Sequence, residues 1–429
     1  MKKRILALSI VGALMCTLAA CTTPEAPPAP TGTDPAPVDT TPQAQPVNLT
    51  LASWRADDVA QWDVLLADYK ANVAPNVTIK FQPINPPDYN TTLTTQLEAG
   101  TGPDLMFARS YQTGREIFGK GFFADVSDIA GLDKAFTTSA LDAWRSDGKL
   151  FATPIAAVSH AVYYNKDIFA ANNIAIPTTW AEFIEACKTL KAAGITPIAN
   201  GIADEWDILE CFFLNMLPNY VGGSDQRALY ESGEKKMNDE AFVNAYTDMA
   251  AAAPYLPDGF EALSYSDSQT LFSTQKAAMF LDGSWNISAY DDVTFDWGFF
   301  ATPGRDGAKF VSFHVDAAIA MNADSKNPEE AKAFLSWLAT ADGATALAKG
   351  LPTGFFPLSQ YPVTLADAHA NEMLALNDGK TTDVRFIWPE LIDLYAPMLT
   401  DINEMLKGKV TPQQAADHAA ELQAAAINK

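Results

Sequence analysis

Between Val47 and Phe107 the chain switches its hydrophobic period repeatedly, and that alternation restricts the fold more than any other feature. Asn48-Leu-Thr-Leu-Ala-Ser-Trp54 reads as a strand running into a polar loop, Trp54-Arg55-Ala56-Asp57-Asp58. Val59, Trp62, Leu65, Leu66 and Tyr69 then recur at helical spacing. Val77-Thr78-Ile79-Lys80-Phe81 alternates as a second strand, Pro86-Pro87 ends that segment, and a helix is expected over about Tyr89–Glu98. Gly100 to Asp104 turns into a short apolar strand, Leu105-Met106-Phe107. Strand, helix, strand, helix, strand predicts a three-layer α/β unit with parallel strands, because parallel neighbours need a long crossover and a helix supplies it.

A second constraint lies in Leu150–Phe169, LFATPIAAVSHAVYYNKDIF. An apolar run from Phe151 to Val162 passes directly into Tyr163-Tyr164-Asn165-Lys166-Asp167 and the start of a helix. Such a run is expected of a strand that leaves one core, borders a cleft and enters another. Beyond it, Thr179 with Glu182 three residues on forms a capping box, and Trp180, Phe183, Ile184, Cys187 and Leu190 form one apolar stripe. Residues 206 to 250 read as helical, broken at Pro218 and Gly222-Gly223. Short strands are expected at 195–198, 277–281, 295–300 and 317–321. Asn327 and Pro328 open a further helix, and the chain after Gly354 reads as helical to its end.

The start of the chain stands apart. Lys2, Lys3 and Arg4 precede an apolar stretch, Ile5–Leu18, and Leu18-Ala-Ala-Cys21 closes it with small residues, the pattern of a secretory signal. The apolar stretch is too short for a typical membrane-spanning helix. Leu-Ala-Ala-Cys resembles the bacterial lipobox, which implies lipidation of Cys21 and a mature protein anchored by that lipid alone. Residues 22–46 hold eight prolines among 25 positions, a composition that buries too little to order itself and is expected to act as an extended tether. The formal net charge of −23, with no basic cluster, argues against nucleic acid and against a polybasic membrane contact. Cys187 and Cys211 lie in apolar helical patterns, which leaves open a disulfide or two buried thiols.

Motifs for covalent or metal chemistry are missing. The sequence has no phosphate-binding G-x-x-x-x-G-K-[ST], no G-x-G-x-x-G after a strand, no H-E-x-x-H, no C-x-x-C and no G-x-S-x-G. His160, His314, His369 and His418 are scattered without metal-ligand spacing, so no metal and no cofactor is expected. What recurs is an aromatic or charged residue just past a predicted strand or at a helix start: Trp54, Arg55 and Asp57; Arg109 and Tyr111; His160 and Tyr163; Trp206; Trp285. In open α/β sheets, ligands bind beyond the carboxyl ends of strands. Indole faces suit the apolar face of a sugar ring, while Arg, Asp and Asn suit its hydroxyls. Trp62, Trp144, Trp180, Trp297 and Trp337 sit inside apolar patterns and are assigned to packing.

In this arrangement the chain resembles the extracellular solute-binding proteins of ABC transporters, in particular the sugar-binding, maltose-binding-type group. The resemblance covers nearly all of 47–429 and rests on five marks. They are P-x-x-Y-x-x-x-L-x-x-x-L-x-A-G-x-G-P-D-L (86–105), the Y-Y-N-K-D-I-F and P-T-T-W-A-E-F runs (163–183), and F-S-T-Q-K-A-A-M-F-L-D-G-S-W (272–285). S-K-N-P-E-E-A-K-A-F-L (325–335) and G-K-V-T-P-Q-Q-A (408–415) complete the set.

The resemblance implies a type II periplasmic-binding-protein-like α/β fold, two lobes joined by three hinge crossings with the ligand cleft between them. On this pattern residues 1–20 are the signal peptide and 21–46 the lipidated cysteine and tether. Lobe 1 takes 47–156 plus 304–350, and lobe 2 takes 157–303 plus 351–429. It further implies ligand contacts at Trp54, Arg55, Asp57, Arg109, Tyr111, Trp206 and Trp285, with Asp316, Arg385, Trp388 and Tyr395 as additional candidates beside His160 and Tyr163. The implied function is a non-enzymatic, extracytoplasmic, lipid-anchored monomer. It would close on a mono- or oligosaccharide and deliver it to ABC permease subunits. The alternatives are the same fold with a non-sugar solute, such as a polyamine or a glycerophosphodiester, and a lipid-anchored glycoside hydrolase using two of the 52 acidic residues.

Overall fold

The computed structural model describes residues 45–85, 88–204, 206–383 and 391–428. Cys21, the signal and most of the tether therefore lie outside the described residues, as do Arg385 and Trp388. Among the described residues no helix is long and apolar enough to cross a membrane.

The first five elements meet the sequence expectation. Strands β1 (Val47–Ser53), β2 (Val77–Pro83) and β3 (Leu105–Arg109) alternate with helices α1 (Val59–Asn72) and α2 (Tyr89–Glu98). β1 pairs in parallel with both β2 and β3. α1 buries Trp62, Leu65, Leu66 and Tyr69 as the spacing predicts, while Val59 stays exposed at the helix start. Trp62 stacks on Phe81 at 5.6 Å and meets Phe107 edge-on at 5.2 Å, so α1 is fixed to the sheet by aromatic contact. Asp104 of the G-x-G-P-D-L mark is structural. Its carboxylate accepts from Thr50 N and Oγ1 and from Ser325 Oγ, and so joins the start of β3 to β1 and to the loop before the later helix Pro328–Leu338.

The remaining strands are β4 (Arg145–Ser146), β5 (Lys149–Leu150), β6 (Thr153–Asn165), β7 (Thr196–Ile198), β8 (Ala277–Gly283), β9 (Trp297–Phe300), β10 (Phe310–Met321), β11 (Phe356–Pro357) and β12 (Thr381–Asp383). The main sheet runs β2-β1-β3-β10-β6-β8-β7, with β9 and β11 paired to β6 and β12 to β10. β6 is buried along its whole length. It pairs with β10 from Thr153 to Ser159, then with β8 from His160 to Tyr164 and with β9 from Val162 to Asn165. The exchange of partners thus falls between Ser159 and His160.

Side chains on either side of that exchange feed different cores. One cluster draws on residues 49–158 and 317–355, and a second on residues 162–300 and 391–419. A third, smaller one gathers Ala157, Ala161 and Tyr163 with Phe272, Phe280, Tyr290, Trp297 and Phe299. The five tryptophans assigned to packing are all buried. The Thr179 capping box forms as expected, with Glu182 N donating to Thr179 Oγ1 and Thr179 N to the Glu182 carboxylate.

Several expectations need correction. β10 begins at Phe310 rather than Ala317, because a bulge at Asp316 breaks the apolar pattern that reveals its second half. Asn327 makes no side-chain cap. The chain after Gly354 contains β11 and β12 as well as helices. Of the two readings left open for Cys187 and Cys211, the structure shows buried thiols with no disulfide.

Candidate functional site

The end of β8, Asp282-Gly283-Ser284-Trp285-Asn286, is the place where three of the expected contacts, His160, Trp206 and Trp285, converge. Trp285 is half-buried, and its indole folds back over Gly283 so closely that a Cβ there would lie 2.2 Å from the ring. His160, at the partner exchange on β6, meets that indole edge-on at 5.1 Å and stacks with His314 of β10 at 5.6 Å. Trp206 lies 6.2 Å from Trp285 and 4.6 Å from Tyr265, between ring centroids. Trp206, Tyr265 and Trp285 are each half-buried, so parts of three aromatic rings face outward together.

The polar edges of the Tyr265 and Trp285 rings are taken up by hydrogen bonds. The Tyr265 hydroxyl donates to the Asp282 carboxylate at 3.0 and 3.1 Å, and accepts from Trp285 Nε1 and Asn286 Nδ2, each at 2.6 Å. Asp282 also receives Gly283 N at 2.7 Å, Cys211 Sγ at 3.6 Å and Asn286 Nδ2. Gln269 Nε2 closes the network on Asn286 Oδ1 at 2.7 Å. Burial pushes the Asp282 carboxyl up to about 7 in spite of these donors. Asp207 beside it is raised well above the carboxylate range, by burial first and by the charge of Asp282 second. Asp207 opens the π-helical stretch Asp207–Phe213, a rare geometry that is frequent at functional sites.

A second group borders the carboxyl ends of β1 and β3. The Arg109 guanidinium lies over the Trp54 ring, 3.8 Å from its centroid. Arg55 is held by Asp58 through two bonds of 2.6 and 2.8 Å, and also stands over the Phe355 ring. Tyr111 follows with φ +57, a left-handed backbone that is costly for a residue with a bulky side chain. The two groups are linked through neighbours. Phe355 follows Gly354, whose carbonyl accepts from Ser284 Oγ, and Ala317, next to Asp316, pairs across the sheet with Arg109.

Comparison with known proteins decides the family. The family model for bacterial extracellular solute-binding proteins matches residues 52–345. The chain belongs to that family. This solute-binding protein is 25% identical over 299 residues to the multiple sugar-binding protein of Streptococcus mutans, covering 65% of this chain and 70% of that one. It is 28% identical over 397 residues to the diacetylchitobiose binding protein DasA of Streptomyces coelicolor, covering 86% and 87%. Among solved structures, the binding protein RafE in complex with raffinose superposes with a TM-score of 0.72 at 20% identity, over 89% of this chain and 99% of that one. That likeness establishes the two-lobe, type II α/β fold. The family is one of binding proteins, not of enzymes.

Within this solute-binding protein the expected residues fall into three sets. Trp206, Trp285 and His160 come together, and Arg55, Arg109 and Tyr111 stand at the second group. Asp316, nearly buried, occupies the β10 bulge between them. Trp54 and Tyr163 are placed otherwise than expected. Trp54 is 4% exposed, packed edge-on against Tyr89 and Phe107 beneath Arg109. Tyr163 is fully buried in the third cluster with its hydroxyl donated to Gly283 O, so both serve packing. Tyr395 binds the Glu210 carboxylate and ties its helix to the π-helical stretch. The Asp57 side chain lies outside the described residues. Sequence reasoning missed Tyr265 and Asn286. The available signal for Tyr265 was its place directly after a capping residue, Ser264, at the start of the helix Tyr265–Ser273. Among the described residues no group of three or more His, Cys, Asp or Glu side chains is arranged to hold a metal.

Proposed function

We propose that this protein binds a neutral mono- or oligosaccharide and delivers it to the permease of an ABC importer. The lobes would divide at 156/157, 303/304 and 350/351, with a lipid on Cys21 anchoring a monomeric domain outside the cytoplasm. The observation that carries the reading is the cluster of Trp206, Tyr265 and Trp285. Its three side chains are each half-buried, while the Trp285 indole N–H is committed to the Tyr265 hydroxyl and that hydroxyl's hydrogen to Asp282. Such a surface offers stacking to the C–H face of a sugar ring and no positive charge to an anionic solute. The names of the relatives, which bind multiple sugars, diacetylchitobiose and raffinose, support the same class.

Two features weigh against the other readings. An anionic solute needs an available cation, and Arg55 is neutralised by Asp58 while Arg109 is laid on Trp54. A hydrolase needs two carboxyl groups facing the scissile bond, and Asp207 and Asp282 lie buried beneath the rings. Ligand reaching both lobes would favour the closed form by the contacts it makes only there, the general basis of hinge closure in periplasmic binding proteins. Titration calorimetry with D-galactose, raffinose, N,N′-diacetylchitobiose, spermidine and glycerophosphocholine tests the class. Micromolar binding of a neutral sugar, about −8 kcal/mol, is expected. Binding confined to the charged solutes, or release of monosaccharide from raffinose, would overturn it.

A further inference from the structure

We propose that Asp282, itself enclosed by protein, is a positioning residue that sets ligand affinity by fixing the plane of the Trp285 indole through Tyr265. The inference rests on Trp285 being a ligand-facing ring, and its own basis is the direction of hydrogen bonds in a three-tier stack.

At the base is a carboxylate with no exposure, on which donors from four residues converge: Tyr265 OH, Gly283 N, Cys211 Sγ and Asn286 Nδ2. In its ionised form, populated above about pH 7, the Asp282 carboxyl is acceptor-only and so satisfies that many converging donors. The middle tier is the Tyr265 hydroxyl, which has one hydrogen and two lone pairs. Because the hydrogen goes to Asp282, both lone pairs are left for Trp285 Nε1 and Asn286 Nδ2, each at 2.6 Å. The top tier is the indole. Its N–H has an acceptor at this position only while the hydroxyl hydrogen points down at the carboxylate.

Gly283 completes the device from the other side. Its missing side chain is what lets the indole lie flat against the backbone, with Trp206 and His160 flanking the ring. Asn at 282 would keep one acceptor oxygen and turn an amide hydrogen toward the other donors. The Tyr265 hydroxyl would then be free to rotate, and the indole would lose its fixed partner. The stack therefore specifies one orientation of Trp285 before any ligand arrives, and a preorganised ring binds more tightly than a mobile one.

The test uses the full chain labelled with 5-fluorotryptophan, the Trp285 resonance being assigned by its loss in Trp285→Phe. Asp282→Asn and the isosteric Tyr265→Phe should each shift or broaden that resonance and leave those of Trp62 and Trp144 in place. Calorimetry with raffinose and N,N′-diacetylchitobiose, using whichever binds the unaltered chain, gives the second readout. Asp282→Asn should weaken binding by about fivefold or more, the effect of one lost hydrogen bond, and the loss should vanish in a Trp285→Ala background. An unmoved Trp285 resonance, or an equal loss with and without Trp285, overturns the proposal. If neither sugar binds the unaltered chain, the sugar reading of the site fails, and the fluorine spectra still decide the positioning role.

Discussion

The backbone N–H of Ser159 donates to Ser284 Oγ at 3.0 Å, joining the partner exchange on β6 to the residue just before Trp285. Ser284 Oγ passes its own hydrogen to Gly354 O, and Ser159 Oγ donates to Ser312 O at 3.2 Å. Ser159, Ser284 and Ser312 are fully buried. Four separate stretches of chain, β6, the end of β8, β10 and the segment before β11, are thus held at one point. Gly354 has φ +92, and a Cβ there would meet Ser284 O at 1.8 Å, so the approach tolerates only glycine.

Ser284→Ala leaves Ser159 N and Gly354 O buried without their partner. The expected cost is about 2–4 kcal/mol of unfolding free energy, read by urea denaturation. A change below about 0.5 kcal/mol would mean that the junction is held by other contacts.

Gly283→Ala inserts a methyl group into the space of the indole. The strand conformation itself accepts alanine, so the fold should persist while Trp285 is displaced. The expected outcome is a near-native melting temperature with weakened sugar binding. Unchanged affinity would show that the indole does not act from its observed position.

Tyr111 should reveal its backbone strain by comparing two truncations. Glycine relieves a left-handed φ and alanine does not, so Tyr111→Gly is expected to be more stable than Tyr111→Ala by about 1 kcal/mol. Helix propensity alone predicts the opposite order, since Tyr111 opens α3 (Tyr111–Gly119). Thermal unfolding of the pair decides.

The Asp282 carboxyl has a folded pKa raised to about 7, above its unfolded value. The folded state therefore holds a proton that the unfolded state has released. This contribution to stability is fully present below about pH 4 and is lost as pH rises toward about 7. Asp207, raised by burial and by Asp282, acts in the same direction. Unfolding free energy should fall between pH 5 and pH 8, and Asp282→Asn should reduce that fall. An equal fall in the variant would assign the pH dependence elsewhere.

How far the sequence reveals this molecule depends on whether the signal is local. α2 was legible to the residue, because a proline pair bounds it and Tyr89, Leu93 and Leu97 repeat on one face. Trp285 and Trp206 were legible as aromatics at a strand end and a helix start. Trp54 looked the same by that rule, yet its ring is buried under Arg109, and only tertiary packing separates the two cases. Tyr163 was misplaced because β6 changes sheet partners without changing its apolar character. Tyr265 was invisible because its role comes from Asp282, Trp285 and Asn286, which are distant in sequence.

The most direct test of the sugar-binding account is the dissociation constant of the best-binding neutral sugar for the unaltered chain and for Trp285→Ala, measured by calorimetry on equally folded samples. Loss of a stacked ring at the centre of the site should weaken binding about 30-fold, or about 2 kcal/mol. An affinity for Trp285→Ala within about twofold of the unaltered chain would contradict the placement of the ligand on this ring.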